Sequence, residues 1–259
     1  MLRIVNWESH ELIQELESAD LAGRDLSGMD WYLADLTHVP LRNARLMGSN
    51  LCRVSAEGAD FSHALLERAD LSMAELRGAD LSFVRGRESR LAGVRMVEAR
   101  LNDADFTRAS FLFAHLAGLY ARNAILHSAD MHKADLTNAD LSGADLSGAN
   151  LSVADLRGAC LDHATLANAI LTNADMRGAT LRHAELGVAI FHGTSLAGAD
   201  FTGARFSKTV FACCRDLHLA RGLDAALFRD TACIDIQTLQ ACRADLPRLF
   251  LEGCGVDLN

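Results

Sequence analysis

The sequence predicts an all-β fold in which the chain winds into a four-sided coil of parallel strands. From Leu16 to Phe211 every fifth residue is large and apolar, apart from three small residues, and the residue two places earlier is usually alanine. A period of five matches neither the α-helix nor the β-strand, so each unit must form one side and turn a corner. Four sides then close a coil of about 20 residues, and about ten coils stack about 4.8 Å apart around an apolar core.

The three small residues at the central position support this arrangement. At each of them the residue two places earlier is large, as expected if both side chains point into one close-packed core and one volume replaces the other. The compensating pairs are Val54 with Ala56, Val84 with Gly86, and Leu119 with Ala121.

The repeated unit Ala-Asp/Asn-Leu-x-x, as in residues 134–138 and 149–153, resembles that of the pentapeptide-repeat family. The resemblance implies a right-handed quadrilateral parallel β-helix. The quinolone-resistance, mycobacterial fluoroquinolone-resistance and albicidin-resistance members are dimeric rods that bind DNA gyrase or topoisomerase IV by imitating duplex DNA. Some of them need a loop that interrupts a coil. This chain keeps its frame throughout, so it is similar to the loopless kind.

Both ends of a stacked coil expose unpaired edges, so we expect caps over residues 1–15 and 212–259, on either side of a coil over residues 16–211. At the N-terminus, Asn6 is placed to cap a short helix that runs to about Glu17. Its apolar face would carry Leu12, Ile13 and Leu16 and would cover the first coil.

The C-terminal segment shows a helical pattern instead of the repeat. Asp235 is typical of an N-cap and Pro247 of a break between two helices. Leu239, Cys242 and Leu246 would form one helical face, and Gly253 or Gly255 would end the second helix.

The outward residues that precede the central positions form columns, since residues one coil apart stack. Ile170, Ile190 and Val210 form an apolar column where aspartate is usual, which predicts a covered contact. The first interpretation is that the tail folds back over this column through Leu246 and Phe250. The alternative is a homodimer contact through the C-terminal region.

Charged residues give the candidate partner surface. Arginines within about one coil form a belt, and aspartate columns flank it. The simpler interpretation is that these charges only solvate the face, and the functional interpretation is that they bind a partner. The belt consists of Arg85, Arg87, Arg90, Arg95 and Arg100. The columns include Asp20, Asp60 and Asp80 on one face and Asp135, Asp155 and Asp175 on another.

We expect no catalytic, cofactor or metal site. His163 and His183 occupy equivalent positions on adjacent coils, about 5 Å apart, but two imidazoles alone make a poor metal site. The seven cysteines include no C-x-x-C pair. Common catalytic motifs are missing, and carboxylates on a convex rod lack a pocket that would tune their pKa values, so an enzyme is not expected.

Composition narrows the partner and the compartment. A net charge of −9 argues against direct binding of nucleic acid, because phosphate neutralisation needs a basic excess. The start has no apolar core of signal-peptide length, and no stretch approaches the ~20 apolar residues that span a bilayer, so we expect a soluble cytoplasmic protein without membrane contact.

The leading functional hypothesis is a non-catalytic protein that binds DNA gyrase or topoisomerase IV as a DNA-shape mimic and modulates it or protects it from a poison. Duplex DNA carries about 28 charges over a rod of about 48 Å, so this chain imitates its charge only dilutely. The alternative is a structural or adaptor scaffold for protein–protein interaction unrelated to topoisomerases. A third hypothesis is an effector that has lost a terminal domain.

Overall fold

The chain winds into a parallel β-helix in the computed structural model, which describes residues 2–17 and 20–258. The residue before each central position pairs in parallel with its equivalent one coil later, as Asp60 does with Asp80. These pairings run without a gap from Asp25 to Arg205. The predicted five-residue side is therefore confirmed, and residues 20 apart in sequence form straight columns.

Each corner is a tight turn with a left-handed residue. The amide of Arg24 donates to the carbonyl of Leu21 at 3.2 Å, and the same bond recurs at successive corners. The third residue of every turn from Gly23 to Cys213 has a positive φ, as a type II turn requires. Glycine serves there without strain, but this chain also places asparagine, histidine and apolar residues at the position.

The core is a stack of inward leucine, phenylalanine and alanine side chains. Val54, Ala56, Leu119 and Ala121 are all buried, which confirms the predicted exchange of volumes. At Gly86 a further side chain takes part, because a Cβ there would overlap the ring of Phe106. The next coil thus fills the space that Gly86 leaves.

The N-terminal cap is a β-hairpin, so the predicted helix from Asn6 is wrong. Strands β1 (Leu2–Val5) and β2 (Leu12–Leu16) pair antiparallel. The oxygen of the Asn6 side chain accepts from the amides of Glu8 and Ser9 at 2.8 and 3.0 Å, within the hairpin turn.

The exposed edge of the first coil explains why a strand forms here. A strand can form hydrogen bonds with the unpaired backbone groups at an edge, whereas a helix uses its own backbone groups internally. The amide of Asp35 donates to the carbonyl of Val5 at 2.8 Å, and that of Trp7 to the carbonyl of Leu33 at 3.0 Å. Ile4 is buried against the first coil.

The coil continues past Phe211, where the sequence analysis ended it, for one more turn with six-residue sides. Strands β3 (Ile190–His192), β5 (Val210–Ala212) and β7 (Cys233–Ile234) form one parallel sheet. Strands β4 (Arg205–Phe206) and β6 (Leu227–Phe228) form another.

On two of these six-residue sides the extra residue is taken up by short 3-10 turns, at Leu217–Leu219 and Leu223–Ala225. Leu217 and Leu223 point inward and are buried. A signal was present in the sequence, since Ala220, Ala226 and Ala232 recur at intervals of six.

The tail closes the C-terminal end of the core. Helix α1 (Ile236–Cys242) begins after Asp235, whose carboxylate accepts from the amide of Thr238 at 2.8 Å, as predicted for an N-cap. Helix α2 (Arg248–Gly253) begins after Pro247, and a further 3-10 turn spans Arg243–Asp245.

The side chain of Phe250 in α2 fills the C-terminal end of the core, and we call it the C-terminal plug. Its ring lies 5.4 Å from that of Phe211, 5.9 Å from that of Phe228 and 6.1 Å from that of Phe206. Neither of these helices, nor any other among the described residues, is long and apolar enough to cross a membrane.

Candidate interaction surface

The aspartates of the predicted partner surface first serve their own turns. Each accepts a hydrogen bond from the amide two residues later, an arrangement that aspartate and asparagine favour. The donors are Ala22 to Asp20, Ser62 to Asp60, Ser82 to Asp80, Thr137 to Asp135, Arg157 to Asp155 and Arg177 to Asp175, at 2.9 to 3.2 Å. The turn therefore explains the residue type, and the carboxylate charge still faces outward.

The structure brings these aspartates together on two sides of the coil. In one column Asp60 pairs directly with Asp80. Pro40 lies 20 residues after Asp20 and pairs with Asp60, so a proline separates Asp20 from the other two aspartates. Asp135, Asp155 and Asp175 form a continuous column on a neighbouring side.

Arginines neutralise part of the second column. Arg157 and Arg177 each bind the aspartate two residues earlier through two nitrogens, with Nη2 to Oδ2 distances of 2.6 Å. The hydrogen bond from Arg157 lowers the pKa of Asp155, although partial burial acts in the opposite direction. Asp175 has a lowered pKa for the same reason through Arg177.

Four of the five belt arginines are also paired with acidic residues. Exposed pairs of this kind contribute little to stability, but they reduce the field that a partner meets. The pairs are Arg85 with Glu67 at 3.4 Å, Arg87 with Asp105 at 2.7 Å, Arg90 with Asp70 at 3.1 Å and Arg95 with Glu75 at 3.3 Å. Arg100 borders a shallow hollow with Asn102, Tyr120 and Arg122. The belt thus alternates with acids instead of forming a positive ring.

The predicted apolar column forms, and two of its three residues, Ile190 and Val210, are half-buried. Ile170 pairs with Ile190 and Ile190 with Val210, and Ile170 remains 38% exposed. Leu246 and Phe250 are both buried, and the Phe250 ring packs inside the end of the core instead of on this outward column. Phe250 therefore does not cover the column, and a contact of the column with another part of the tail or with a second copy stays a prediction.

Another apolar surface, which the sequence analysis missed, follows one corner of the coil. We call Met73, Phe113 and Val153 the corner stripe; all three are exposed. These residues are all apolar and 40 apart in sequence, which was the available signal. The signal is weak in the linear sequence because these residues come together only when the coils stack.

Neighbouring side chains frame the corner stripe. The indole of Trp7 donates to the carbonyl of Arg53 at 2.8 Å, which fixes the hairpin turn beside this corner. The ammonium of Lys133 lies 5.2 Å from the centre of the Phe113 ring, a cation–π contact. Trp7 and Met73 line a hollow of about 470 Å³ together with Arg95 and His115.

The histidine pair lies as predicted, with the rings of His163 and His183 stacked at 5.1 Å. In residues 2–17 and 20–258 no group of three or more histidine, cysteine, aspartate or glutamate side chains is placed to hold a metal ion.

The family follows from the repeat itself. A model described as pentapeptide repeats in eight copies matches residues 15–51, 44–82, 87–118, 114–152, 134–173, 149–187 and 189–218. This chain belongs to the pentapeptide-repeat family. No curated protein is matched by the sequence.

Solved pentapeptide-repeat structures share the fold. One is HetL from the cyanobacterium Nostoc sp. strain PCC 7120, a protein involved in regulation of heterocyst differentiation. It is 30% identical, with 83% of this chain and 93% of HetL covered and a TM-score of 0.59. A trypsin-treated variant of QnrB1, a plasmid-mediated fluoroquinolone resistance protein, is 18% identical, with 83% and 98% covered and a TM-score of 0.53. The likeness to QnrB1 concerns the fold alone.

Proposed function

We propose that this pentapeptide-repeat protein is a non-catalytic binding protein that recognises another protein through the outer surface of its coil. The observation that carries the proposal is the corner stripe, where Met73 is 59% and Phe113 51% exposed although the coil has a large core to bury apolar side chains. Exposed apolar side chains that recur along one line mark interaction sites more often than scattered ones do.

A binding role suits the carboxylates better than a catalytic one. Those of Asp60, Asp80 and Asp135 hold turns, and those of Asp155 and Asp175 also hold arginines. A general acid or base needs a displaced pKa near the working pH within an enclosed site. The lowered pKa values of Asp155 and Asp175 displace these groups in the opposite direction.

A type II topoisomerase, DNA gyrase or topoisomerase IV, is the specific partner we would test first, with the coil acting as a mimic of DNA shape. The net charge of −9 and the continuous run of Asp135, Asp155 and Asp175 in one column favour this candidate. The ion pairs of Asp155 and Asp175 weaken it, since they remove charge that imitation of DNA requires. An adaptor that binds another protein is the second candidate, and the corner stripe favours it.

A supercoiling assay separates the two candidates. Substituting asparagine for Asp60, Asp80 and Asp135 keeps the acceptor that each turn needs and removes only the charge. A DNA mimic should inhibit gyrase, or protect it from a cleavage-stabilising poison, and the triple variant should lose that effect. An adaptor should leave supercoiling unchanged at every concentration, and the charge variant should bind its partner as the parent does.

Two further proposals concern assembly and location. The exposed Ile170, together with exposed Leu227, Ile236 and Leu249 near the C-terminal end, supports a homodimer through this region. Sedimentation across a range of concentrations would detect it. The seven cysteines are free thiols, which supports a reducing compartment such as the cytoplasm.

A further inference from the structure

One hollow on the side of the coil is lined by hydrogen-bond donors. Arg100 and Asn102 lie on one coil and Tyr120 and Arg122 on the next, around a volume of about 240 Å³. Arg100 pairs with Tyr120 in one outward column, and the backbone amide of Arg122 donates to Oδ1 of Asn102 at 3.0 Å. Because that oxygen is already engaged, the side-chain nitrogen of Asn102 is left to donate to another acceptor. We call these four residues the donor hollow.

The donor hollow differs in charge from four other hollows of the molecule. Each of those has a carboxylate in its lining, from Asp216, Glu75, Glu67 and Asp162. The donor hollow is lined by two guanidiniums, an amide and a phenol, with no acidic residue, although the chain has 34 acidic and 25 basic residues. A concave site with this balance of charge attracts an anion.

The two arginines of the donor hollow make different contributions. Nε of Arg122 donates to Oδ2 of Asp140 at 2.6 Å, which fixes the direction of the guanidinium and leaves its Nη groups for another acceptor. Arg100 is the one belt arginine outside the salt bridges of the described residues. The acid before it in the column, Asp80, accepts from the amide of Ser82 at 2.9 Å. Arg100 therefore supplies an unpaired charge, and Arg122 supplies donors in a fixed orientation.

We propose that the donor hollow binds a single phosphoryl group, carried by a phosphorylated side chain of a protein partner or by free phosphate. A phosphoryl group offers three strong acceptor oxygens, and the planar fork of arginine fits such oxygens in pairs. A carboxylate has only two oxygens and would leave donors of the hollow unused.

The surroundings of the donor hollow restrict the ligand to one phosphoryl group. The column that contains Arg100 and Tyr120 has Asp80 on the coil before them and Asp140 on the coil after them. A nucleic acid carries a phosphate at every step of its backbone, so its neighbouring phosphates would meet these carboxylates. The inference goes beyond the proposed function and does not depend on the corner stripe.

The probe is a fluorescein-labelled heptapeptide of glycine and alanine with one central phosphoserine, titrated with the full chain and followed by fluorescence anisotropy. Arg100→Gln should weaken binding about tenfold or more, the loss expected for a hydrogen bond to a charged group. Arg100→Lys keeps the charge but loses the planar fork, so it should weaken binding less than Arg100→Gln does.

Arg108→Gln is the matched control, because it removes an exposed arginine at a turn of the coil outside the donor hollow. It should change binding less than about twofold, since a surface charge at a distance is screened by salt. Urea midpoints equal to that of the parent show that the variants fold.

Inorganic phosphate separates the two sources of the phosphoryl group. At constant ionic strength it should displace the phosphoserine peptide. If inorganic phosphate binds as tightly as the peptide, free phosphate is the ligand. If the peptide binds more tightly, the ligand is a phosphorylated side chain of a partner.

Three results would overturn the inference. These are equal binding of the same peptide with serine or glutamate at the central position, an equal loss with Arg108→Gln, or no binding of either the phosphoserine peptide or inorganic phosphate. Cross-linking of the parent chain to a protein in cells would still support the proposed function after any of these results. If the parent chain cross-links to no protein, the proposed function itself fails.

Discussion

Replacing Gly158 by alanine tests whether columns of turn residues fit one another along the rod. Gly158 has a φ of 67°, and a Cβ there would overlap Oδ1 of Asn138, its neighbour one coil earlier. A left-handed alanine costs about 1–2 kcal/mol. Forcing the Asn138 side chain out of its rotamer adds about 1 kcal/mol, so we expect Gly158→Ala to cost about 2–3 kcal/mol.

Gly178 is the matched control. It occupies the next coil of the same column with a φ of 70°, and a Cβ there would have nothing within 4 Å. Gly178→Ala should therefore cost only the backbone strain of about 1–2 kcal/mol. In the double variant Asn138→Ala, Gly158→Ala the overlap disappears, so the two substitutions should couple favourably by about 1 kcal/mol.

Urea unfolding followed by circular dichroism measures five proteins: the parent, the single variants Gly158→Ala, Gly178→Ala and Asn138→Ala, and the double variant. Equal destabilisation by Gly158→Ala and Gly178→Ala, with no coupling in the double variant, would refute the reasoning. It would mean that backbone strain alone decides where glycine is needed.

Two further variants test the core and the turns. Phe250→Ala should lower the free energy of unfolding by about 3–5 kcal/mol, because it opens a cavity at the C-terminal end of the core. Leu249→Ala is the control and should change that free energy by less than about 1 kcal/mol, since Leu249 is 62% exposed. Urea midpoints measure both variants, and equal effects would contradict the role of Phe250 in closing the core. Burial raises the pKa of Asp200, but hydrogen bonds from Thr202 and Arg182 outweigh it and lower that pKa to about 2. Because the pKa of Asp200 is lower in the folded protein, its ionised carboxylate stabilises the fold above a pH of about 4, and this contribution is lost as the pH falls toward about 2. Asp200→Asn should therefore make the urea midpoint depend less on pH in that window. An unchanged pH dependence would contradict the stabilising role of the Asp200 carboxylate.

The repeat could be predicted because its cause is local. Each five-residue unit buries one large and one small side chain, so the period, the inward positions and the volume exchange at Ala56 follow from the sequence alone. The predicted histidine stack followed from the same register.

The ends could not be predicted in the same way, because their structure depends on the backbone groups and the core surface that the neighbouring coil leaves unpaired. The segment around Asn6 carries helical signals, yet the unpaired edge at Asp35 selects a strand. The last coil keeps inward Leu217 and Leu223 with sides of six residues, and a search for a period of five overlooks it. The corner stripe could not be recognised from single residues, because these exposed apolar residues form one surface only when the coils stack.

The covers at its two ends also set the length of the molecule. The last coil pairs in register with the coil before it, from Ser195 with Arg215 to Val210 with Cys233, so its wider sides do not stop the ladder. At the C-terminal end Phe250 lies buried over the core, and at the other end the hairpin of β1 and β2 takes up the backbone edge at Asp35. A fold whose every coil can template the next therefore carries a terminator at each end, and the chain remains a rod of defined length instead of the seed of a fibre.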